Sequence, residues 1–60
     1  MNDNEIINEL LKIIINDHLN IRKWLYGYNT HFGMSPYDMI EAGRSKEVIS
    51  YLMYMIEGPY

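Results

Sequence analysis

Three side chains of this 60-residue chain have the types that metal binding or acid–base catalysis would use, namely His18, His31 and Asp38. A zinc site needs at least three converging ligands. His18 lies on an apolar helical stripe and His31 in a turn-rich connector, so neither has a ligand partner at helical spacing. Asp38 is explained by helix capping, and the sequence contains no nucleophile motif and no Gly-rich phosphate loop. We therefore expect no catalytic residue, no metal and no cofactor.

Composition limits the setting and the classes of partner. The chain has no cysteine, which excludes a disulfide framework and favours a reducing, cytoplasmic location. The net charge is −3 and the five cationic residues are scattered, so nucleic acid is not expected as the direct partner. No apolar run approaches the roughly 18 residues of a membrane span, and Asp3 and Glu5 stand where a signal peptide has a basic flank. A chain this short buries only about 60% of its unfolded surface, so a partner or a second copy is expected.

Apolar periodicity predicts a small all-α domain of three or four helices, at about residues 4–15, 17–26, 36–42 and 46–57. One stripe, at spacings of four and three, consists of Ile7, Leu11, Ile14, His18, Ile21 and Leu25. A second line beside it consists of Ile6, Leu10, Ile13 and Trp24. The two lines together form either one wide core-facing stripe or a core face plus a second contact. Asn16 and Asp17 favour caps and turns, so the helix either breaks near Asn16 or continues through it.

The third and fourth predicted helices have recognisable starts and stops. Ser35 is expected to cap the third helix, with Pro36 at its first position and Asp38 as the capping-box acid. Gly43 is expected to stop that helix. Ser45 is then expected to cap the last helix.

The connector between the second and third helices belongs to the stretch 24–40, which holds the only Trp, the only Phe and three of the six Tyr. Trp24 is expected in the core rather than at an interface. Gly27 is expected in the left-handed conformation at the end of a helix. Asn29 is expected to hold a turn through its side chain rather than to contact a partner, and both Asn29 and Gly33 tolerate positive φ.

The last helix finishes in an aromatic and thioether-rich segment. Its apolar line consists of Val48, Leu52 and Met55, and Met55 is expected in the core. Tyrosine and methionine that face outward are typical of protein interfaces. The residues expected to bind a partner are Tyr51, Tyr54, Gly58, Pro59 and Tyr60. The last three of these form either a plug for a partner's pocket or a disordered end.

The order of several residues is more specific than the composition. These residues are Trp24, Leu25, Asn29, Phe32, Gly33, Pro36, Asp38, Met39, Ile40, Gly43, Val48, Leu52 and Gly58. Over residues 17–60 this ordered set resembles the Xre/MbcA/ParS-like antitoxin toxin-binding domain. The resemblance implies a type II antitoxin whose partner is a RES-domain toxin acting on a nicotinamide dinucleotide or a related substrate. It also implies that the domain covers the entrance of the toxin's active site and that its C-terminal tail can enter there.

Some positions depart from that family's pattern. Tyr28, Met34 and Ile21 stand where the family usually has Pro, Gly and Ala, and Tyr54 stands about where an Arg is often found. This last change weakens the transfer of an electrostatic contact to a toxin. About sixteen residues precede the similar region, which leaves no room for the family's DNA-binding helix-turn-helix domain, so we expect no autorepression by this chain alone.

The sequence therefore predicts a single protein-binding domain, residues 1–60, that inhibits a toxin by covering its active site. The alternative is a phage- or plasmid-encoded inhibitor of a bacterial defence system, such as an anti-CRISPR protein, with the same fold. A third hypothesis is that the two apolar lines of the first helix make the chain a homodimer, which is compatible with either inhibitory role.

Overall fold

Four helices and their connections make up residues 1–58, the part of the chain that the computed structural model describes. They are α1 (Asp3–Ile14), α2 (His18–Tyr26), α3 (Pro36–Glu41) and α4 (Ser45–Glu57). Within these residues there is no β-strand, and the only ladder-type pairing is an isolated bridge between Asn29 and Met34. The predicted all-α fold is confirmed, and every helix boundary lies within about one residue of its predicted position, inside the usual uncertainty of helix ends.

The core lies between α1 and α4 and is closed by α2 and α3. Its buried apolar side chains are Ile7, Leu11, Ile21, Met39, Val48 and Leu52. Leu11, Val48 and Leu52 are completely shielded from solvent. Burying a side chain of this size stabilises the fold by about 1.5 to 3 kcal/mol, so these few residues carry much of the stability of so small a domain.

The connection between α1 and α2 shows why the two helices do not form one rod. Asn16 has a φ of 55°, a left-handed conformation that asparagine tolerates better than most residues, and Asp17 is the N-cap of α2. Of the two alternatives that the sequence leaves open, the structure shows the break near Asn16. His18, the first residue of α2, is exposed although it lies on the predicted stripe. Ile21 and Leu25, the later members of the same stripe, do pack into the core, so the stripe is interrupted only at the break.

The second apolar line of α1 is divided between core and solvent. Leu10 packs against the buried cluster, as does Trp24 from α2. Ile13 is 68% exposed. The wide-stripe interpretation therefore accounts for Leu10 and Trp24, whereas Ile13 faces outward.

Capping determines both ends of α3. The amide of Asp38 donates to Oγ of Ser35 over 3.1 Å, and Pro36 occupies the first turn, as predicted. At the other end Gly43 has a φ of 78°, its amide donates to the carbonyl of Ile40, and the amide of Arg44 donates to the carbonyl of Met39. These two bonds form a Schellman motif and confirm Gly43 as the stop.

The start of α4 differs from the prediction. Its N-cap is Arg44, and Ser45 is already the first helical residue. Oγ of Ser45 does not cap the helix but donates to Oδ2 of Asp3 at 2.6 Å. The expected capping role of Ser45 is wrong because the helix begins one residue earlier than predicted, which places Ser45 inside its first turn, where its hydroxyl donates to α1 instead.

Candidate protein-binding surface

Tyr51 lies at the centre of an aromatic cluster that joins the connector to α4. Its ring centroid lies 4.6 Å from His31, 5.1 Å from Phe32 and 6.4 Å from Trp24. The Phe32 contact is edge-to-face and the Trp24 contact is stacked, both favourable arrangements for aromatic pairs. Tyr51 is half-buried by these neighbours. This predicted partner-binding residue therefore also holds the connector in place.

Asn29 organises the turn that brings His31 and Phe32 to Tyr51. Its Oδ1 accepts from the amide of His31 at 2.9 Å and from the amide of Phe32 at 3.4 Å. Its backbone carbonyl accepts from the amide of Gly33, which has a φ of 74°. The predicted turn-holding role of Asn29 is confirmed. Trp24, expected in the core, is half-buried and packs against it.

Gly27 serves the connector in a way that the sequence did not indicate. Its φ of −84° and ψ of 154° are extended, so the predicted left-handed conformation is wrong. A Cβ at this position would lie 2.7 Å from the backbone carbonyl oxygen of Lys23. Glycine is required here by close approach of the chain to the end of α2.

A shallow groove of about 710 Å³ runs along α4 beside the connector. We call it the α4 groove, and its lining consists of His31, Lys46, Glu47, Ser50, Tyr51 and Tyr54. Lys46, Ser50 and Tyr54 follow each other at four-residue steps, which places them along one side of the helix. His31 faces them from the connector. Of these residues the sequence predicted Tyr51 and Tyr54.

The two charged residues that line the α4 groove, Lys46 and Glu47, differ in how closely they are paired. Arg44 donates from Nε and Nη2 to the two carboxylate oxygens of Glu47, at 2.6 Å and 2.9 Å. These hydrogen bonds, together with the guanidinium charge, hold the pKa of the Glu47 carboxyl below its ordinary value. Lys46 is different, because its side chain is 88% exposed and its Nζ lies 3.7 Å from Oδ1 of Asp3. An ion pair that long and that exposed contributes little to stability.

The end of α4 carries a second feature, which we call the last-turn patch. Its members are exposed large apolar or aromatic residues, namely Met53 (39%), Tyr54 (58%), Met55 (45%) and Ile56 (40%). The predicted core position of Met55 is wrong, because the other helices of the domain leave the last turn of α4 uncovered. The helix then ends at Gly58, whose amide donates to the carbonyl of Tyr54. The predicted partner-binding residues Pro59 and Tyr60 lie outside the described residues.

No three His, Cys, Asp or Glu side chains of residues 1–58 come together as a metal ion would require. Over the same residues, no helix combines the length and apolar content needed to cross a membrane. Comparisons with protein-family models, curated proteins and solved structures found no match for the chain.

Proposed function

We propose that this chain is a protein-binding module that inhibits a larger partner by covering the partner's active site with α4. The observation that carries the proposal is the last-turn patch, where four consecutive large apolar or aromatic residues are each at least 39% exposed, so the end of α4 is uncovered on several sides. Met53 and Ile56, three positions apart, share one of these sides. Exposed apolar surface of this kind marks interaction sites, and tyrosine and methionine are enriched in protein interfaces. Exposed apolar surface lowers the solubility of a domain of 60 residues. A bound partner that covers this surface would remove that disadvantage.

The resemblance to the Xre/MbcA/ParS-like antitoxin domain makes a RES-domain toxin the first partner to test. The residues proposed to contact it are Tyr51, Tyr54, Gly58, Pro59 and Tyr60. Tyr54 supports this assignment because it is 58% exposed and lies in both the last-turn patch and the α4 groove.

The test is to mix the purified chain with a RES-domain toxin at equal concentrations and to follow loss of nicotinamide dinucleotide. Inhibition that is complete near one equivalent is expected. Undiminished toxin activity at a severalfold excess of the chain would overturn a toxin as the partner. Capture from a bacterial lysate adds a second arm, in which recovery of a defence nuclease instead of a toxin favours the phage or plasmid inhibitor.

Self-association is a compatible second candidate, and Ile13 is the observation that favours it. This residue is 68% exposed on α1, where a second copy could cover it. Sedimentation at micromolar concentration is expected to show a dimer that Ile13→Ser weakens. A monomer throughout that range would remove this candidate and leave the inhibitory proposal intact.

A further inference from the structure

The α4 groove has the dimensions of a site for a short extended segment. Lys46 and Tyr54 are eight positions apart on a helix, which corresponds to about 12 Å. An extended chain covers that distance with about four residues. The volume of the α4 groove, about 710 Å³, also lies within the usual range of ligand-binding sites.

Aromatic rings make one end of the groove suited to an apolar side chain. His31, Tyr51 and Tyr54 line that end. The ring of Tyr51 is already fixed by its contacts with Trp24 and Phe32. A ligand that packs on it therefore does not have to order it, which lowers the entropic cost of binding.

Charge makes the other end suited to a carboxylate. Glu47 is neutralised by the two hydrogen bonds from Arg44, so its charge opposes an acidic ligand only weakly. Lys46 is 88% exposed and its Nζ lies 3.7 Å from Oδ1 of Asp3, so this ion pair is long and weak. An incoming carboxylate can therefore approach the ammonium group of Lys46 more closely than Asp3 does.

We propose that the α4 groove binds an acidic segment of the partner protein, with a carboxylate at Lys46 and an aromatic or aliphatic side chain between His31 and Tyr54. The assignment rests on the proposed protein-binding function and adds to it the chemistry of the segment that is bound. The proposal gives two surfaces of α4 different roles. The last-turn patch makes apolar contact with the partner, and the groove selects the bound segment by its charge.

The test is an NMR titration of the backbone amide signals of the full chain with two blocked synthetic peptides. Both peptides carry one phenylalanine, and they differ only in having two glutamates or two lysines about four residues from it. The acidic peptide is expected to shift signals of residues 46–54 and of the connector, and to bind roughly tenfold more tightly than the basic one. Lys46→Glu is expected to weaken acidic-peptide binding by roughly tenfold.

Lys12→Glu is the matched control, because it makes the same charge change on α1, away from the groove lining, at another lysine that pairs with an acid. It is expected to change binding less than twofold. Equal binding of the two peptides, equal effects of the two substitutions, or signal changes confined to other surfaces would each overturn the proposal. Circular dichroism shows whether the variants remain folded, and Lys46→Gln provides a milder change if Lys46→Glu does not fold.

Two further outcomes separate this proposal from the proposed function. Ser50→Trp places a large side chain in the groove lining. If this variant and Lys46→Glu both inhibit a toxin to the same extent as the unchanged chain, the groove assignment is wrong and the inhibitory function stands. If the unchanged chain inhibits no toxin, the peptide titration still decides whether the groove selects acidic segments. If the chain self-associates and Lys46→Glu abolishes this self-association, the groove binds a second copy of the chain. That outcome would overturn the proposal.

Discussion

Ser45 donates a hydrogen bond of 2.6 Å from its Oγ to Oδ2 of Asp3, which joins the first turn of α4 to the first turn of α1. The two residues are 42 positions apart, so this bond links the first helix to the last one. It is partly buried, and Lys46 approaches the other oxygen of the same carboxylate at 3.7 Å. The contact therefore fixes where the two helices that form most of the core begin.

We predict that Ser45→Ala lowers the free energy of unfolding by about 1 kcal/mol, because it removes a hydrogen bond to a charged acceptor that is only partly shielded from water. Urea denaturation followed by circular dichroism measures the change. Ser50→Ala is the control, since it gives the same gain in helix propensity at an exposed position of the same helix. Equal effects of the two substitutions would show that the bond to Asp3 does not stabilise the fold.

Two glycines are predicted to respond differently to the same replacements. Gly43→Ala is expected to lower the free energy of unfolding by about 1 kcal/mol, because alanine is strained at the φ of 78° that this position has. Gly43→Asn is expected to lower it less, because asparagine tolerates that conformation. Gly27→Ala is expected to be destabilising through contact with the carbonyl of Lys23, and Gly27→Asn is expected to give no relief. Thermal unfolding of the four variants provides the comparison. The explanation fails if asparagine is the better replacement at both positions.

The helices and their local caps could be predicted from the sequence because their causes lie within a few residues. Ser35 and Asp38 are three apart, and Gly43 directly follows Ala42, the C-cap of α3. Ser45 has the type of a cap and was predicted as one. Its acceptor Asp3 is distant in sequence, and no local pattern indicates such a contact.

Exposure was less predictable than helix position. His18 and Ile21 continue the spacing of α1, but His18 is exposed at the start of α2 whereas Ile21 is buried. Met55 continues the line of Leu52, but the domain does not cover the last turn of α4. Periodicity places residues on a helix face, whereas the length and angle of the neighbouring helices decide how far that face is buried.

The candidate site was predictable in the same partial way. Residue type and position beside the apolar line predict Tyr51 and Tyr54 as binding residues. The four-residue spacing of Lys46, Ser50 and Tyr54 also indicates one edge of the groove. His31 reaches the groove only through the turn that Asn29 holds, so its contribution depends on a tertiary arrangement.

Asn29 is predicted to be replaceable by aspartate but not by alanine. Asn29→Asp keeps an oxygen for the amides of His31 and Phe32, whereas Asn29→Ala removes it and is expected to cost about 1 to 2 kcal/mol. Near-ultraviolet circular dichroism reports the packing of the aromatic cluster and is expected to weaken only in the alanine variant. An equal loss in both variants would mean that the side-chain acceptor does not determine the turn.

A tyrosine on α3 is predicted to make stability depend on alkaline pH. The hydrogen bond from Tyr37 to Glu41, and then the charge of Glu41, raise the pKa of the Tyr37 phenol above its ordinary value of 10.0. Because the folded state raises this pKa, the associated stabilisation is complete below the ordinary value and is lost as the pH rises through the folded-state value.

The measurement for Tyr37 is an ultraviolet titration of tyrosinate formation, combined with urea denaturation at several alkaline pH values. Glu41→Gln is expected to lower the pKa of Tyr37, since it removes the charged acceptor. Tyr37→Phe is expected to remove the tyrosine with the raised pKa from the titration curve and to reduce the loss of stability at high pH. An unchanged titration curve in Glu41→Gln would contradict the assignment of the shift to that contact.

Tyr54 is predicted to contribute to inhibition and very little to folding. Its 58% exposure means that Tyr54→Ala removes little buried area, so the free energy of unfolding is expected to change by less than about 0.5 kcal/mol. A tyrosine at the centre of an interface is often worth more than 1 kcal/mol, so we expect inhibition of the partner to weaken by about tenfold or more. Tyr28→Ala is the matched control, because Tyr28 is 74% exposed and lies in the connector, outside the groove lining. If both variants lose inhibition equally, α4 is not the surface that selects the partner, whereas loss confined to Tyr54→Ala supports the assignment of the binding surface to α4.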